Sequence, residues 1–283
     1  MFETAPPTSI LQQPFELKFS QPPKLPVYTG SMFRGALGHA LHKLYCRCTS
    51  LHQHKDDCLF SLLFIGPKTE KWQATSPCFA FSPLSSKQGT DNILFGNIYL
   101  FGPAINYQKE FLQAFCLACA DGLTENKLVA ICHLLPLQAI GYRPLADSIS
   151  IQLTTPLFIK RKINGSPQVV TPEIFSFNDF LVALHRRLNT LSLLYQTPQF
   201  SDLDNWFKFC KQLTYSYQLE YVSYSRFSSK QRKKIPIGGL MGTIDLSSNL
   251  SNELQVALQL GQCLHIGGKA ALGLGAYQLS NLI

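Results

Sequence analysis

Near its C-terminal end the chain reads Leu264-His265-Ile266-Gly267-Gly268-Lys269-Ala270-Ala271-Leu272-Gly273-Leu274-Gly275-Ala276-Tyr277, called here the glycine-rich segment. Its four glycines can adopt positive φ angles and allow a close approach to a ligand. Successive backbone amides in such a loop, together with the charge of Lys269, can bind a phosphate. A tight turn with close packing is the alternative interpretation.

The elements on either side of this segment exclude a nucleotide-cofactor site. Apolar residues at helical spacing precede it over residues 250–264, and a strand-like ending follows over residues 276–283. A Walker loop or a dinucleotide fingerprint needs the order strand, loop, helix. Here the order is helix, loop, strand, so the fingerprint does not apply.

The rest of the chain predicts the same element order twice. In the first half we expect strands at 15–20, 78–82, 93–101 and 127–133 and helices at 30–45 and 109–121. A linker at 136–146 follows. In the second half we expect strands at 150–160, 215–226, 237–246 and 274–282, and helices at 178–195, 202–213 and 252–264. Apart from the short helical piece at 202–213, each half is therefore a β-α-β-β-α-β unit of an α+β protein.

Composition points to an anionic partner. The chain has 283 residues, a formal net charge of +8 and 46% hydrophobic residues, so it can fill real cores and favours nucleic acid as a partner. Neither a signal sequence nor an apolar run of membrane-spanning length is visible. Nine scattered cysteines suit a reducing compartment. We therefore expect a cytoplasmic protein with no membrane partner.

The segment Gly30-Ser31-Met32-Phe33-Arg34-Gly35-Ala36-Leu37-Gly38-His39-Ala40-Leu41-His42-Lys43-Leu44-Tyr45 predicts an amphipathic helix. Apolar residues share one side, and His39, His42 and Lys43 project from neighbouring positions on the other. Ser31 is suited to cap its start. A solvated helix face with two ordinary histidines is the alternative.

Three motifs resemble the CRISPR-associated RAMP endoribonucleases that process precursor CRISPR RNA. Residues 30–41 resemble that family's first-helix motif. Tyr224-Ser225-Arg226-Phe227-Ser228-Ser229-Lys230-Gln231, followed by Pro236-Ile237-Gly238-Gly239-Leu240-Met241-Gly242, resembles its hairpin signature. Leu260-Gly261, His265-Ile266-Gly267 and Gly273-Leu274-Gly275 resemble its C-terminal glycine-rich loop.

The resemblance implies a tandem ferredoxin-like (RRM-like) fold, with domains at residues 1–140 and 141–283 and a C-terminal glycine-rich loop. It implies metal-independent cleavage of CRISPR repeat RNA that leaves a 5′-hydroxyl and a 2′,3′-cyclic phosphate. No cofactor is expected. Precursor guide RNA is the expected partner, with other CRISPR effector-complex subunits as further partners.

Attack by the RNA's own 2′-hydroxyl requires a base, an acid and a group that stabilises charge on phosphorus, and histidine suits the first two. His39 lies within the helix motif and is our first candidate, and His42 is the second. Lys43 is placed to stabilise the pentavalent phosphate. The resemblance gives Tyr28, just before the helix, the role of orienting the 2′-hydroxyl or donating a proton.

Basic residues and glycines supply the RNA-binding candidates. The densest basic run would lie at the tip of a hairpin, where it can contact phosphates; a solvated loop is the alternative. Further basic clusters are 160–162 and 186–187. His265 either packs against the preceding helix or touches RNA. The complete set of candidates is Arg34, Arg226, Lys230, Arg232, Lys233, Lys234, Gly267, Gly268, Lys269, Gly273 and Gly275.

One cysteine–histidine cluster leaves a zinc site open. Cys46, Cys48 and Cys58 occur with His52 and His54, but Cys46-x-Cys48 is tighter than the usual zinc knuckle and no Cys-x-x-Cys pair follows. We assign no metal ligand from the sequence. Cysteines 116, 119 and 132 are expected in the core, and the acidic residues do not cluster as in a two-metal nuclease.

Two other functions remain open at this stage. A non-catalytic subunit that holds guide RNA in an effector complex would bind RNA tightly and leave it intact. An unrelated small-molecule binder would show RNA affinity only at nonspecific levels. The doubled fold and the histidine pair favour the endoribonuclease.

Overall fold

The structure is a computed structural model that describes residues 9–49, 53–55, 57–67, 76–124, 126–197, 199–211, 213–228, 233–247 and 250–281. Within these ranges the side chains of residues 209–210, 225–228 and 233–234 are not described.

The N-terminal half forms one antiparallel sheet with helices. Its strands pair in the spatial order β2-β4-β1-β5, with β3 on β4 and β6 on β1. A π-helical turn, Ser61–Ile65, follows the first helix. The elements in chain order are β1 Ile10–Lys18, α1 Gly30–Tyr45, β2 Phe79–Phe81, β3 Ser85–Ser86, β4 Ile93–Phe101, α2 Pro103–Asn106, α3 Gln108–Asp121, β5 Ile131–Leu134 and β6 Gln138–Ala139.

The C-terminal half repeats this plan with a longer hairpin. Its antiparallel sheet has the order β10-β11-β7-β12, and β8 and β9 form a separate hairpin. Two 3₁₀ turns, Pro172–Ile174 and Ala270–Leu272, complete it. The elements are β7 Ser148–Leu157, β8 Lys160–Ile163, β9 Ser166–Val169, α4 Phe177–Tyr195, α5 Leu203–Cys210, β10 Thr214–Ser228, β11 Lys233–Ser247, α6 Asn252–Leu264 and β12 Tyr277–Asn281.

Both main sheets follow the strand order of a split βαβ unit. The second and third strands of each unit form a hairpin, and its first strand lies between the third and the fourth. The predicted tandem ferredoxin-like, α+β fold is therefore confirmed. The predicted boundary after residue 140 stays a prediction, and it falls in the segment between β6 and β7.

Aromatic side chains fill both cores. Phe15 of β1 lies 5.0 Å from Phe115 of α3 and 5.9 Å from Phe33 of α1, between ring centroids. In the second half, the ring of Tyr277 packs against Phe180 of α4, and its hydroxyl donates to the Leu258 carbonyl at 2.6 Å. Each such pair adds about 0.5–1.5 kcal/mol beyond the burial of its area. These contacts fix the helices on their sheets.

Two local predictions were wrong. Ser31 does not cap α1, which starts at Gly30 with Thr29 as its N-cap and with no side-chain capping hydrogen bond. Residues 160–162, predicted partly as a strand end and partly as a basic cluster, belong to the β8–β9 hairpin. Its turn is formed by Asn164 and Gly165, both at positive φ (51° and 82°), as two-residue hairpin turns require.

Among the described residues, no helix combines the length and the apolar character needed to cross a membrane.

Candidate functional site

The glycine-rich segment packs against the end of β7. The Gly268 amide donates to the Phe158 carbonyl at 2.7 Å, and the Gly275 amide donates to the Pro156 carbonyl at 3.0 Å. Gly267, Gly273 and Gly275 have φ values of 75°, 84° and 75°, a region that favours glycine. The segment is therefore held as a tight turn.

This geometry corrects the predicted phosphate cradle. The amides of Gly268, Gly273 and Gly275 all donate to backbone carbonyl oxygens of the protein, Gly273 to Ala270 at 2.9 Å. An amide that is already used in this way does not face a phosphate. The alternative of a closely packed turn is right for these three of the four glycines.

Lys269 joins the same packing. It has a positive φ of 65°. Its ammonium donates to the Pro236 carbonyl at 3.1 Å and lies 4.5 Å from the centroid of the Phe158 ring. The side chain thus ties the glycine-rich segment to β11.

His265 is enclosed by the protein, as the packing interpretation expected. Its exposed fraction is 0%, and neither ring nitrogen has a hydrogen-bond partner in the described part of the chain. Burial, together with the charge of Arg187, lowers the pKa of His265 to about 3. The ring is neutral at physiological pH and does not reach RNA.

Three arginines that looked like free surface charges contact other groups of the protein. Arg187 donates to the Leu264 carbonyl at 3.0 and 3.1 Å and to the Ser76 hydroxyl at 2.6 Å, and burial lowers its pKa to about 10, so it stays charged. This contact joins the two halves. Arg161 pairs with Asp179 at 2.8 Å. Neither Arg187 nor Arg161 therefore belongs to a free basic cluster.

Arg34, the third, lies against aromatic rings. Its guanidinium carbon is 4.3 Å from the Phe64 ring centroid and 5.8 Å from that of Phe79, and it donates to the Phe64 carbonyl at 3.3 Å. Burial lowers its pKa to about 10. These contacts give Arg34 a packing role, and its predicted contact with RNA stays untested.

The outer face of α1, made of Gly35, His39 and Lys43, is open to solvent. All three residues are exposed, and a Cβ placed at Gly35 would meet nothing within 4 Å. Lys43 pairs with Asp121 of α3 at 2.9 Å, with 65% and 51% of the two side chains exposed. An ion pair so exposed contributes little, so the ammonium is free to turn to another anion.

His42 lies in a different environment from His39. It is half-buried, with ring centroids 5.1 Å from Phe60 and 6.4 Å from His54. It therefore faces the segment that follows α1 rather than the outer face. The sequence predicted both histidines on the same outer face of the helix. In the structure His39 is exposed, whereas His42 is half-buried.

Tyr28 stands at the other end of α1. Its ring meets that of Tyr224 on β10 edge-on, with centroids 5.1 Å apart. Burial, followed by its hydrogen bond with Tyr224, raises the pKa of Tyr28 above its usual value, so the hydroxyl stays protonated. Gly30 and His39 are nine positions apart on the helix, roughly 14 Å along its axis. Tyr28 and His39 therefore lie at different positions along α1, and a joint role of the two at one phosphate stays a prediction.

A cleft of about 360 Å³ opens beside Tyr28, between the two halves of the molecule. It is lined by the segment before α1, by residues 81–86, by Thr154 and Thr155 of β7 and by Gly273. The start of α1 and the glycine-rich segment come close together beside this cleft, since a Cβ at Gly30 would lie 2.7 Å from the Gly273 Cα. The glycine-rich segment thus supports the start of α1.

The β10–β11 hairpin carries the main basic run. Its strands pair from Thr214 with Ser247 to Ser228 with Lys233. Lys230 and Arg232 lie outside the described residues, and the side chains of Arg226, Lys233 and Lys234 are likewise not described. Their contact with RNA stays a prediction.

One feature escaped the sequence analysis, and a second was left open by it. Tyr224 was only part of a motif, and its partner Tyr28 became visible once the fold joined them. The side chains of Cys46, Cys48, His54 and Cys58 converge immediately after α1, whereas His52 lies outside the described residues. The signal in the sequence was the grouping of cysteines and histidines, and the tight Cys46-x-Cys48 spacing counted against a zinc site.

Comparison with known families agrees with this geometry. Residues 151–277 match the model described as CRISPR-associated endoribonuclease Cas6. This match spans somewhat under half of the chain, and over that part the chain is similar to the Cas6 endoribonucleases. Residues 8–141 match a separate N-terminal domain model. The resemblance to this family is therefore confirmed, with the hairpin and glycine-rich motifs inside the matched range and the first-helix motif outside it. The description of the matching model names an endoribonuclease. Among curated proteins, none matches significantly.

Solved structures share the Cas6 fold at low identity. A Cas6 product complex aligns over 97% of this chain and 99% of its own, with 16% identity and a TM-score of 0.59. A Cas6-related protein from Pyrococcus furiosus covers 96% and 98%, with 10% identity and a TM-score of 0.56. A chain of a partial Cas6-RT-Cas1–Cas2 complex covers 98% of this chain and 46% of its own, with 12% identity and a TM-score of 0.58.

Proposed function

We propose that this protein cleaves CRISPR repeat RNA without a catalytic metal. The 2′-oxygen at the cut site attacks the adjacent phosphorus, a bond forms between them, and the bond from phosphorus to the 5′-oxygen breaks. The proton leaves the 2′-hydroxyl for a base, and an acid protonates the departing 5′-oxygen. The products are a 2′,3′-cyclic phosphate and a 5′-hydroxyl, and the matured guide RNA is released or retained in the cytoplasm.

The observation that carries this proposal is the exposure of His39 on the outer face of α1, beside the open space at Gly35. An imidazole can act as base or acid near neutral pH, and the missing Cβ at Gly35 leaves room for an RNA backbone. Lys43, one helical turn further on, supplies a positive charge for the phosphorane. Its exposed ion pair with Asp121 is weak, so the pair does not prevent the Lys43 ammonium from binding the phosphorane.

The other two catalytic candidates take different places. His42 lies three residues after His39, but its ring faces Phe60 and His54, so we assign it a supporting role for His39. Tyr28 precedes the start of α1 and is more than two helical turns from His39 along the chain. Its protonated hydroxyl is placed to hold a neighbouring part of the RNA in the cleft between the two halves.

The hairpin supplies the main electrostatic contact. Arg226, Lys230, Arg232, Lys233 and Lys234 are the proposed phosphate-binding residues. About five phosphate contacts give a log–log dependence of affinity on salt with a slope of roughly −4. This binding positions the repeat and does not by itself choose the cut bond.

Related structures support RNA and CRISPR proteins as partners. One similar structure is described as a product complex, and another belongs to an assembly with reverse transcriptase, Cas1 and Cas2. We extend both relationships to this chain as proposals: repeat RNA is the substrate, and other CRISPR subunits are binding partners.

The test is incubation of the full chain with an end-labelled repeat RNA in excess EDTA. We expect one cut and a product that ends in a 2′,3′-cyclic phosphate. EDTA removes the free Mg²⁺ or Mn²⁺ that a two-metal nuclease needs. Tight, salt-sensitive binding that leaves the RNA intact would contradict the proposal and favour the non-catalytic guide-RNA-binding subunit.

A further inference from the structure

Four ligand-type side chains meet in the segment after α1. The Cys46 sulfur is 3.5 Å from His54 Nδ1, and the Cys58 sulfur is 3.9 Å from the Cys46 sulfur and 3.8 Å from His54 Nδ1. Cys48 completes the group, and its four ligand atoms all lie within 4.8 Å of one another.

These spacings match those of a tetrahedral zinc site. With zinc–sulfur bonds of about 2.3 Å and zinc–nitrogen bonds of about 2.0–2.1 Å, tetrahedral angles place two sulfurs about 3.8 Å apart and a sulfur and a nitrogen about 3.6 Å apart. The three distances among Cys46, His54 and Cys58 lie within about 0.3 Å of these values. Only a small movement of Cys48 is needed to close the tetrahedron.

The donor set also selects the metal. Thiolates are soft ligands that favour zinc over Mg²⁺ or Ca²⁺, which prefer oxygen. The Lys55 amide donates to the Cys48 sulfur at 3.4 Å, and such hydrogen bonds stabilise a metal-bound thiolate. The sulfurs of Cys46 and Cys58 lie well beyond the bond length of a disulfide, about 2.05 Å.

We propose that Cys46, Cys48, His54 and Cys58 bind one Zn²⁺ in a structural site. Three thiolates and one imidazole fill all four tetrahedral positions, which leaves no open position for a reacting water. The site is therefore separate from the cleavage chemistry, and the proposal does not rest on the proposed function.

The position of the site suggests what the ion does. It closes the loop between the end of α1 at Tyr45 and the π-helical turn that begins at Ser61. Phe60, between Cys58 and that turn, packs on both His42 and His54, with centroids 5.1 Å away in each case. The zinc thus fixes the wall against which His42 rests, next to the outer face of α1.

The first test is the zinc content of the full chain, purified under reducing conditions without chelator. We expect about one zinc per chain. The double variant Cys46→Ser/Cys58→Ser should lose it. The matched control Cys116→Ser/Cys132→Ser replaces two half-buried cysteines outside the cluster and should retain it. Less than about 0.1 zinc in the folded wild-type chain, or equal zinc in both double variants, would overturn the proposal.

Cobalt gives a readout that survives if the variants do not fold. Zinc is displaced from the wild-type chain with a thiol-specific mercurial, the thiols are regenerated, and Co²⁺ alone is added. We expect the intense visible bands of tetrahedral cobalt and the near-ultraviolet bands of sulfur-to-cobalt charge transfer. Pale octahedral cobalt, or thiol counting and intact mass that show a disulfide within the cluster, would contradict a zinc site.

Thermal unfolding tests the structural role. The zinc-free chain should unfold at a temperature about 5 °C or more below that of the zinc-loaded chain, because the ion binds only the folded loop. Readdition of Zn²⁺ should restore the transition, whereas Mg²⁺ should not. An unfolding temperature that does not respond to zinc would remove the structural role assigned here.

Discussion

In the sequence, both the glycine-rich segment and the outer face of α1 suggested RNA contact. In the structure the segment packs against the protein, whereas the outer face of α1 is open to solvent. In the segment, three glycine amides donate to carbonyl oxygens of the protein, and His265 is fully buried. On α1, Gly35 meets open space and His39 is exposed. Glycines therefore indicate a close approach, and only the fold tells whether the approaching group belongs to a ligand or to the protein itself.

The largest effect should come from the open face. His39→Ala should lower the single-turnover cleavage rate of repeat RNA by about 10²–10⁴-fold, because it removes a proton-transfer group. Its dissociation constant for RNA should change by less than about threefold, because the basic hairpin supplies the main electrostatic contact with the phosphates. Rapid-quench assays at saturating enzyme and filter binding measure the two quantities.

His133→Ala is the matched control, because His133 is an exposed histidine on β5. It should cleave at the wild-type rate. If His39→Ala also cleaves at that rate, the outer face of α1 is not the catalytic surface.

The next effect compares two glycines. Gly275→Ala should destabilise the fold by about 3 kcal/mol or more, because its φ is 75° and a Cβ would collide with the Ile266 carbonyl oxygen. Gly35→Ala should stabilise it by about 0.5–1 kcal/mol, as an alanine in an open helix position does. Urea unfolding measures both.

The same pair sharpens the functional comparison. Gly35→Ala should weaken RNA cleavage despite its stable fold, because the new methyl group occupies the open space beside His39. Wild-type cleavage by Gly35→Ala would contradict an RNA contact at the outer face of α1. Wild-type stability of Gly275→Ala would contradict a tightly packed glycine-rich segment.

A smaller effect concerns acid stability. Burial lowers the pKa of His265 to about 3, below the value of about 6.5 expected in the unfolded chain. The unfolded state therefore takes up the proton first, and stability falls as the pH drops from about 6.5 towards 3. Between pH 7 and pH 5, His265 should account for a loss of about 2 kcal/mol.

Replacement by Phe keeps a ring at this position and removes the titration. His265→Phe should lose about 2 kcal/mol less than the wild type between pH 7 and pH 5, by urea unfolding. The exposed His133→Gln serves as the control and should follow the wild type. Equal losses in His265→Phe and the wild type would show that His265 is not held neutral by the fold.

The smallest effect should come from Lys269. Its ammonium already contacts the Pro236 carbonyl and the Phe158 ring. Lys269→Ala should therefore change RNA affinity by less than about twofold and leave the salt slope near its wild-type value. Lys233→Ala/Lys234→Ala should make the slope less negative by roughly 1.5. A change of about 1 in the salt slope of Lys269→Ala would show instead that the glycine-rich segment contacts RNA phosphates.

The sequence predicted most of the fold because periodicity is local. The bounds of α1, β4 and α6 agree with the predicted ranges to the residue, since apolar spacing and flanking glycine or serine mark them. The β8–β9 hairpin was missed, although Asn164-Gly165 is a strong turn signal, because its short strands carry basic residues rather than apolar ones.

The site was less predictable, because burial and convergence depend on distant partners. Arg187 looked like half of a basic pair, but it contacts Ser76, 111 residues away in sequence. Tyr28 meets Tyr224 across the two halves. The sequence grouped these cysteines and histidines but left a zinc site open, and the convergence of Cys46, Cys48, His54 and Cys58 became visible only in the structure. No pattern of neighbouring residues reveals contacts between residues that lie far apart in the sequence.

The central claim, that the RNA supplies its own nucleophile to this protein, is tested most directly by one substitution in the RNA. A repeat RNA with a single 2′-deoxy nucleotide at the cut site is incubated with the wild-type chain in EDTA, and the unmodified RNA is run in parallel. We expect equal binding of both RNAs and cleavage of the unmodified RNA alone. Cleavage of the deoxy RNA at the same bond and rate would contradict it.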